Sequence, residues 1–336
     1  IKQKIEHLLP MTLGKLTNFI AKYRDQVKQS LTNIQARRLF WQDVIEGNIA
    51  EEVYIGNEQK AGELLVGALS DTDDKNTAAL YLIGAGPGDP DLITLKASRL
   101  IAKADVILYD RLVSKELFNF ARKEVIKINV GKTKSLHRYR QSETNELIKE
   151  YGKKGKIIVR LKGGDTAVFA NLIDEIEAAK EINIPYQIVP GITAASGAAA
   201  YLGIALTIRD EVRSVRYLTY YEKDLLREDY WQELAGSTDS LVFYMSTHHI
   251  EEIINQLLKY DMDGSTPIIA VSQATTPFQA EYLATLADFN NKYRNHKFAS
   301  PTIVIIGKAV NNYKDFSWHE SSKIEGLYFD QLEART

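Results

Sequence analysis

Gly84-Ala85-Gly86-Pro87-Gly88-Asp89-Pro90 follows directly on the apolar run at residues 80–83, and the reading of this junction decides the fold. A dinucleotide-binding turn of the form G-x-G-x-x-G needs glycine at position 89, where the chain has Asp89. Pro87 also removes a backbone N–H that a pyrophosphate cradle would use. Asp89 before Pro90 instead has the character of an N-cap and a first helical position. Taken alone, the segment also reads as an ordinary glycine-rich strand-to-helix turn.

Working outward, short apolar segments recur at 106–109, 125–129, 157–161 and 186–189, and a second set follows at 215–220, 241–244, 268–271, 281–284 and 302–306. Amphipathic stretches at 95–104 and 144–151 separate several of them. Strands alternating with helices predict an α/β domain with largely parallel sheets. Two groups of strands predict two lobes with a cleft between them, and ligands of such sheets sit at the carboxyl ends of strands. Residues 1 to 68 are different in kind. Ile5, Leu8, Leu9, Leu13, Leu16, Phe19 and Ile20 recur at helical spacing, and Val27, Leu31, Ile34, Leu39, Phe40, Trp41 and Val44 continue the pattern. The polar stretch 70–76 reads as a linker.

Composition bounds the function. The length of 336 residues predicts about two domains at roughly 150 residues each. Cysteine is absent, which excludes disulfides, thiolate metal sites and cysteine nucleophiles, and fits a reducing cytoplasm. No apolar run is long enough to cross a bilayer and no secretory signal is visible, so no membrane partner is expected. The net charge of -2 gives no global electrostatic case for nucleic acid. Local basic clusters remain open to an acidic small molecule. Adjacent His248 and His249 face different ways on a helix and read as solvated or capping, so no metal site is expected. The chain starts at Ile1, which leaves room for an upstream piece.

Two further glycine motifs stand downstream. Arg160-Leu161-Lys162-Gly163-Gly164-Asp165 places two glycines at a strand end, where backbone can approach a ligand closely, although Gly-Gly-Asp is also a good turn. Val189-Pro190-Gly191-Ile192-Thr193-Ala194-Ala195-Ser196-Gly197 lets a helix start close to a cofactor, or pack closely on a neighbour.

In this order, these motifs together with Tyr109-Asp110-Arg111-Leu112-Val113-Ser114, Val130-Gly131-Lys132 and Leu241-Val242-Phe243-Tyr244-Met245 resemble the uroporphyrinogen-III C-methyltransferases of the tetrapyrrole methylase family, from about residue 79 to 318. Upstream, His7-Leu8-Leu9-Pro10 and Arg37-Arg38-Leu39-Phe40-Trp41 are similar to the dimerisation and central region of siroheme synthases. The resemblance implies a helical dimerisation region at 1–78, a methyltransferase at 79–318 and a tail at 319–336. It implies an α/β, two-lobed tetrapyrrole methylase fold with S-adenosyl-L-methionine (SAM) in the interlobe cleft. It further implies a cytoplasmic homodimer that methylates uroporphyrinogen III to precorrin-2 in siroheme and cobalamin biosynthesis. The methyl of a sulfonium is already electrophilic, so the protein's tasks are to align carbon and methyl and to manage a proton.

The site residues follow from the same resemblance. Asp110 is expected as the base and Lys132 as the acid. Pro87, Gly163, Gly164, Asp165, Val168, Thr193, Ala194, Met245 and Ala274 are expected around the cofactor. A tetrapyrrole substrate rich in carboxylates calls for cations, with Arg111, Arg160, Lys162 and Arg209 as candidates. The chain also departs from the family. Gly-Gly-Asp usually continues as Pro-Phe-(Ile/Val)-Phe-Gly-Arg-Gly-Gly-Glu-Glu, whereas residues 166–175 read Thr-Ala-Val-Phe-Ala-Asn-Leu-Ile-Asp-Glu. A Thr-Gly-His segment has become Thr219-Tyr220-Tyr221, Ser246 replaces a glycine, and an Glu-Asn-Gly-Thr loop has become Ser272-Gln273-Ala274-Thr275. These changes are expected at the walls of the cleft and not in the core. No G-x-G-x-x-G unit precedes the helices, so the dehydrogenase and ferrochelatase steps of complete siroheme synthases are expected to be missing. Two alternatives stay open: a methylase with another acceptor, or a degenerate module that binds a tetrapyrrole or dimerises without activity.

Overall fold

A computed structural model describes residues 12–70, 78–131, 141–220, 227–321, 324 and 326–329. The expectations on Ile5, Leu8, Leu9, the 7–10 motif, most of the linker, Lys132 and Tyr221 lie outside these residues.

The front region is four helices, α1 (Leu13–Ser30), α2 (Ile34–Glu46), α3 (Asn48–Tyr54) and α4 (Glu58–Ser70). Their apolar stripes converge on one core of Leu16, Phe19, Val27, Phe40, Val44, Ala50, Val53, Ala61 and Leu65, each at most 3% exposed. Burying a side chain of the Leu or Phe class stabilises by about 1.5–3 kcal/mol, so this stripe is what holds four short helices together. Helix α3 also touches the next domain, where Tyr81 Oη donates to Asn48 Oδ1 at 2.5 Å.

The first sheet contains β1 (Ala79–Gly84), β2 (Val106–Tyr109), β3 (Ile126–Asn129), β4 (Ile157–Lys162) and β5 (Tyr186–Val189), with α5 (Leu95–Lys103), α6 (Gln141–Lys153) and α7 (Leu172–Glu181) between them. The order is β3-β2-β4-β1-β5 and every pairing is parallel. Period-2 alternation splits the strands between two cores. Tyr81, Ile83, Ile107 and Leu161 pack with Leu100 and Ile101 of α5, while Leu80, Leu82, Val106 and Ile158 pack with Ile148 of α6 and Ile176 of α7. After β1 the chain turns towards β2, and after β4 it crosses to β5 on the other side. The neighbours β1 and β4 therefore form the topological switch point, and a crevice opens beyond their carboxyl ends.

The second lobe comprises α8 (Ala194–Leu202), β6 (Val215–Thr219), α9 (Glu228–Ala235), β7 (Ser240–Tyr244), α10 (Ile250–Lys259), β8 (Pro267–Ser272), β9 (Ala280–Thr285), α11 (Leu286–Lys292), β10 (Thr302–Ile306) and α12 (Asn312–Phe316). Its order is β6-β7-β10-β8-β9. Only β6 and β7 run parallel; β10 is antiparallel to both its neighbours and β8 to β9. The expectation of largely parallel sheets therefore holds for the first lobe and fails for the second. The reason is the connection: residues 273–279 between β8 and β9 are too few for a crossover, so the strand can only turn back.

Candidate active site

Three glycine loops meet at the switch point with backbone against backbone. A Cβ on Gly84 would lie 2.5 Å from Gly191 N and 2.8 Å from Gly164 O. Gly86 and Gly164 exchange amide hydrogen bonds of 3.1 and 2.7 Å, bridging the loops after β1 and β4. Gly164 has φ +73°, a conformation that costs a larger residue about 1 kcal/mol or more. Asp165 fastens the junction: its Oδ2 accepts from Gly191 N at 2.7 Å and its Oδ1 from Ala167 N at 2.8 Å. Beyond β1, Asp89 caps the single 3-10 turn Pro90–Leu92, accepting from Asp91 N at 2.9 Å as its position before Pro90 predicted.

The second lobe supplies the opposite wall. Asp89 N donates to Thr275 Oγ1 at 3.1 Å, and Pro87 packs so tightly on α8 that a Cβ on Gly197 would sit 2.6 Å from its Cγ. At the end of β7, the Tyr244 hydroxyl lies 2.7 Å from Thr193 Oγ1 and accepts from Ala195 N at 3.1 Å. Burial pushes this phenol up to about 12. Met245 follows with φ +55° and is 56% exposed, an apolar side chain held out at a strand end. Phe169, with φ +53°, packs its ring at a tilt 5.1 Å from that of Tyr244. Ala274 is buried between Gln273 (φ +49°) and Thr275 (φ +66°). Left-handed backbone at non-glycine residues costs on the order of 1–3 kcal/mol each and concentrates at functional sites. Phe169, Asn171, Met245, Gln273 and Thr275 make this crevice such a concentration.

A chain of charges lies under the first-lobe wall. Arg160 Nη2 donates to Asp110 Oδ1 at 2.6 Å and Arg160 Nε to Glu175 Oε1 at 2.9 Å. Lys162 Nζ donates to Glu175 Oε2 at 2.5 Å. The side chains of Arg160, Lys162 and Glu175 are 5%, 4% and 0% exposed, whereas Asp110 is 32% exposed and is the only open end of the chain. Burial works against the Arg160 charge, but the carboxylates of Asp110 and Glu175 outweigh it and hold the guanidinium above its ordinary range. For Lys162, burial and then the neighbouring Arg160 charge win over Glu175, and its ammonium is held below the usual lysine range.

The expected site residues thus separate. Pro87, Gly163, Gly164, Asp165, Thr193, Ala194, Met245 and Ala274 lie in the loops that line the crevice, and Val168 packs from the loop after Asp165 against the α8 core. Arg160 and Lys162 do not stand ready for substrate, because both are buried and turned onto Asp110, Glu175 and the Leu161 carbonyl. Arg111 reaches across to Ser300 Oγ at 3.4 Å and stays half-buried. The Arg209 side chain is 97% exposed beside Asp210 at 3.8 Å, and no contact among the described residues ties it to the crevice. Glu175 went unread. Its signal was present, since Arg160 and Lys162 sit two apart on one face of a buried strand, and two buried cations demand an anion.

Two further readings are corrected. Tyr220 is 1% exposed, meets Trp231 edge-on with ring centroids 5.4 Å apart, and its amide donates to the fully buried Ser246 Oγ at 3.1 Å. These departures from the family therefore repack the second-lobe core and do not reshape the wall. Within the stretch expected as a tail, the described residues Gly326 and Tyr328 are tied to the loops of the site. Gln273 Nε2 donates to Gly326 O at 3.1 Å, its Oε1 accepts from Tyr328 N at 2.7 Å, and the Tyr328 hydroxyl lies 2.6 Å from Ser114 Oγ in the first lobe. Phe329 beside it is 4% exposed. Among the described residues, no group of three or more His, Asp or Glu is placed to hold a metal ion, and no helix is long and apolar enough to cross a membrane.

The chain matches the Tetrapyrrole (Corrin/Porphyrin) Methylases over residues 79–290 and the Sirohaem synthase dimerisation region over residues 12–69. It is 40% identical over 323 residues to a siroheme synthase of Ectopseudomonas mendocina, covering 96% of this chain and 70% of that protein. Among solved structures, uroporphyrin-III C-methyl transferase from Thermus thermophilus complexed with S-adenyl homocysteine is similar with a TM-score of 0.58 and 31% identity, over 69% of this chain and 99% of that one. A cobalt precorrin-4 methyltransferase of cobalamin biosynthesis is similar with a TM-score of 0.63 and 27% identity, over 71% of this chain and 99% of that one.

Proposed function

The chain belongs to the tetrapyrrole methylases, and we propose that its crevice carries out SAM-dependent C-methylation of uroporphyrinogen III, with Asp110 as the proton acceptor. The observation that supports this best is the open carboxylate of Asp110, fixed by Arg160 at the rim of a backbone-lined crevice. The crevice fits a nucleoside sulfonium. Its glycine walls admit close contact, Met245 offers an exposed apolar surface, and Thr166 Oγ1 is buried beside Asp165 without a hydrogen-bond partner. When bound, SAM supplies an electrophilic methyl to a ring carbon of the acceptor as its carbon–sulfur bond breaks, and a proton must then leave the ring system.

The residues divide that task. Gly163, Gly164, Thr193, Ala194, Met245 and Ala274 position the methyl donor, with Pro87 and Val168 backing the loops. Asp165 sets the shape of the crevice and keeps lone pairs for a hydroxyl or ammonium. Asp110 takes the proton on the oxygen that Arg160 leaves free. Lys132 is assigned the acid role from the sequence motif alone. Arg111 is the described cation best placed to meet a substrate carboxylate at the mouth.

Exposed apolar residues on the front helices, Ile34 at 77%, Ile45 at 44%, Leu64 at 40% and Val66 at 41%, support a homodimer through this region. A monomeric mass by light scattering at micromolar concentration would refute it. We also assign the enzyme to the cytoplasm, in keeping with its lack of cysteine.

The deciding experiment pairs binding with turnover. Calorimetric titration with S-adenosylhomocysteine is expected to show saturable one-to-one binding, and methyl transfer to uroporphyrinogen III is expected to follow. Asp110→Asn should keep the binding and lose about 100-fold or more of the transfer. A folded protein that binds no S-adenosylhomocysteine would move the reading to a module without catalysis.

A further inference from the structure

Arg160 and Glu175 are buried, yet Arg160 is bound to the part-exposed carboxylate of Asp110 and Glu175 is bound to Arg160. We propose that Glu175, acting through Arg160, is a positioning residue for methyl transfer: it fixes the direction of Asp110. This rests on the reading of Asp110 as the proton acceptor.

Geometry carries the inference. Arg160 is held from three sides: its Nε on Glu175 at 2.9 Å, its Nη1 on the Leu161 carbonyl at 2.8 Å and its Nη2 on Asp110 at 2.6 Å. A guanidinium is planar and its donors are fixed relative to one another, so anchoring two of them dictates where the third points. Glu175 is itself immobilised: it is fully buried on α7, and its second oxygen is taken by Lys162. Asp110 Oδ1 is therefore tied to a rigid support, while the side chain as a whole stays 32% exposed. A flexible carboxylate on the loop after β2 would sample many directions, and catalysis is sensitive to such losses of orientation.

The charges are also balanced in sequence. Among the described residues, the groups facing Asp110 are Arg160 and Lys162 from β4 and Glu175 from α7, with Arg111 adjacent in sequence. Without Glu175, Arg160 and Lys162 would be two buried cations with Asp110 as the carboxylate that Arg160 still holds. Without Arg160, the carboxylate would lose both its tether and its nearest positive charge. Glu175 thus moderates the cation that aims the base.

The test compares two neutralisations through the pH profile of kcat. Glu175→Gln leaves the cations uncompensated, so the acid limb is expected to move to lower pH by about 1 unit, with kcat reduced about 10-fold. Arg160→Met removes the cation, so the limb is expected to move to higher pH by about 1 unit, with a larger fall in kcat. In both, the KM for SAM and the affinity for S-adenosylhomocysteine should stay within about 2-fold, since neither residue lines the crevice. Opposite movements of the limb support the proposal. Limbs that stay in place, or move together, overturn it, because a merely structural role lowers kcat without moving them. If Arg160→Met does not fold, Arg160→Lys carries the test: it keeps the charge but loses the fork, so a kcat reduced about 10-fold at unchanged KM supports positioning, and an unchanged kcat overturns it. An Asp110→Asn enzyme that remains active would defeat the underlying reading of the base, which is a separate outcome.

Discussion

The two lobes build their halves of the crevice by different means. The first lobe uses all-parallel strands, glycine backbones in mutual contact and a buried line of charges ending at Asp110. The second uses a mixed sheet and presents uncharged groups, Thr193 with Tyr244, Met245 and Ala274, with left-handed backbone at Met245, Gln273 and Thr275. The difference teaches how the work is divided. One wall manages charge and must be electrostatically closed; the other shapes an apolar and hydroxyl-lined surface and stores its strain in the backbone.

Substitutions can break this contrast or sharpen it. Glu175→Ala should have the largest effect on stability, about 3–5 kcal/mol, because it strands Arg160 and Lys162 as buried cations; chemical denaturation would measure it. A loss below about 1 kcal/mol would mean that the charge line is hydrated and not closed. Gly84→Ala comes next at about 1–3 kcal/mol, since its Cβ must displace the Gly191 backbone, and S-adenosylhomocysteine affinity should fall with it. On the other wall, Met245→Gly relieves a left-handed methionine, so stability should change by less than about 1 kcal/mol while the same affinity drops about 10-fold. Stability and binding should therefore move together at Gly84 and apart at Met245. Tyr328→Phe is the smallest change, at about 1 kcal/mol, read as a shift in melting temperature.

Much of this was legible in the sequence, and the parts that were not share a cause. Strands such as β2, β5 and β10 lie where the apolar runs put them, because a buried strand advertises itself by its neighbours in sequence. The Asp89-Pro90 cap and the glycine loops are equally local. The insertion of β10 between β7 and β8 is not, since antiparallel pairing at that range leaves no mark on the residues. The same holds for charge pairs. Arg160 and Lys162 looked like substrate contacts until Glu175, on a different element, accounted for both. Tyr220 and Ser246 were misread for a related reason: a departure from a family pattern says that something changed, while only packing says on which side of the wall.

The bond between Ser114 and Tyr328 spans 214 positions of sequence, and it joins a loop beside Asp110 to a loop beside Ala274. Contacts of such range close only after both lobes exist, so they belong to the end of the folding reaction and not to its nucleus. What forms last on that scale is commonly what opens first. Amides around Tyr328 and Gln273 should therefore exchange with solvent through an opening of their own, well before the sheets unfold. The clasp across the crevice would then have its own equilibrium, separate from that of the fold it closes.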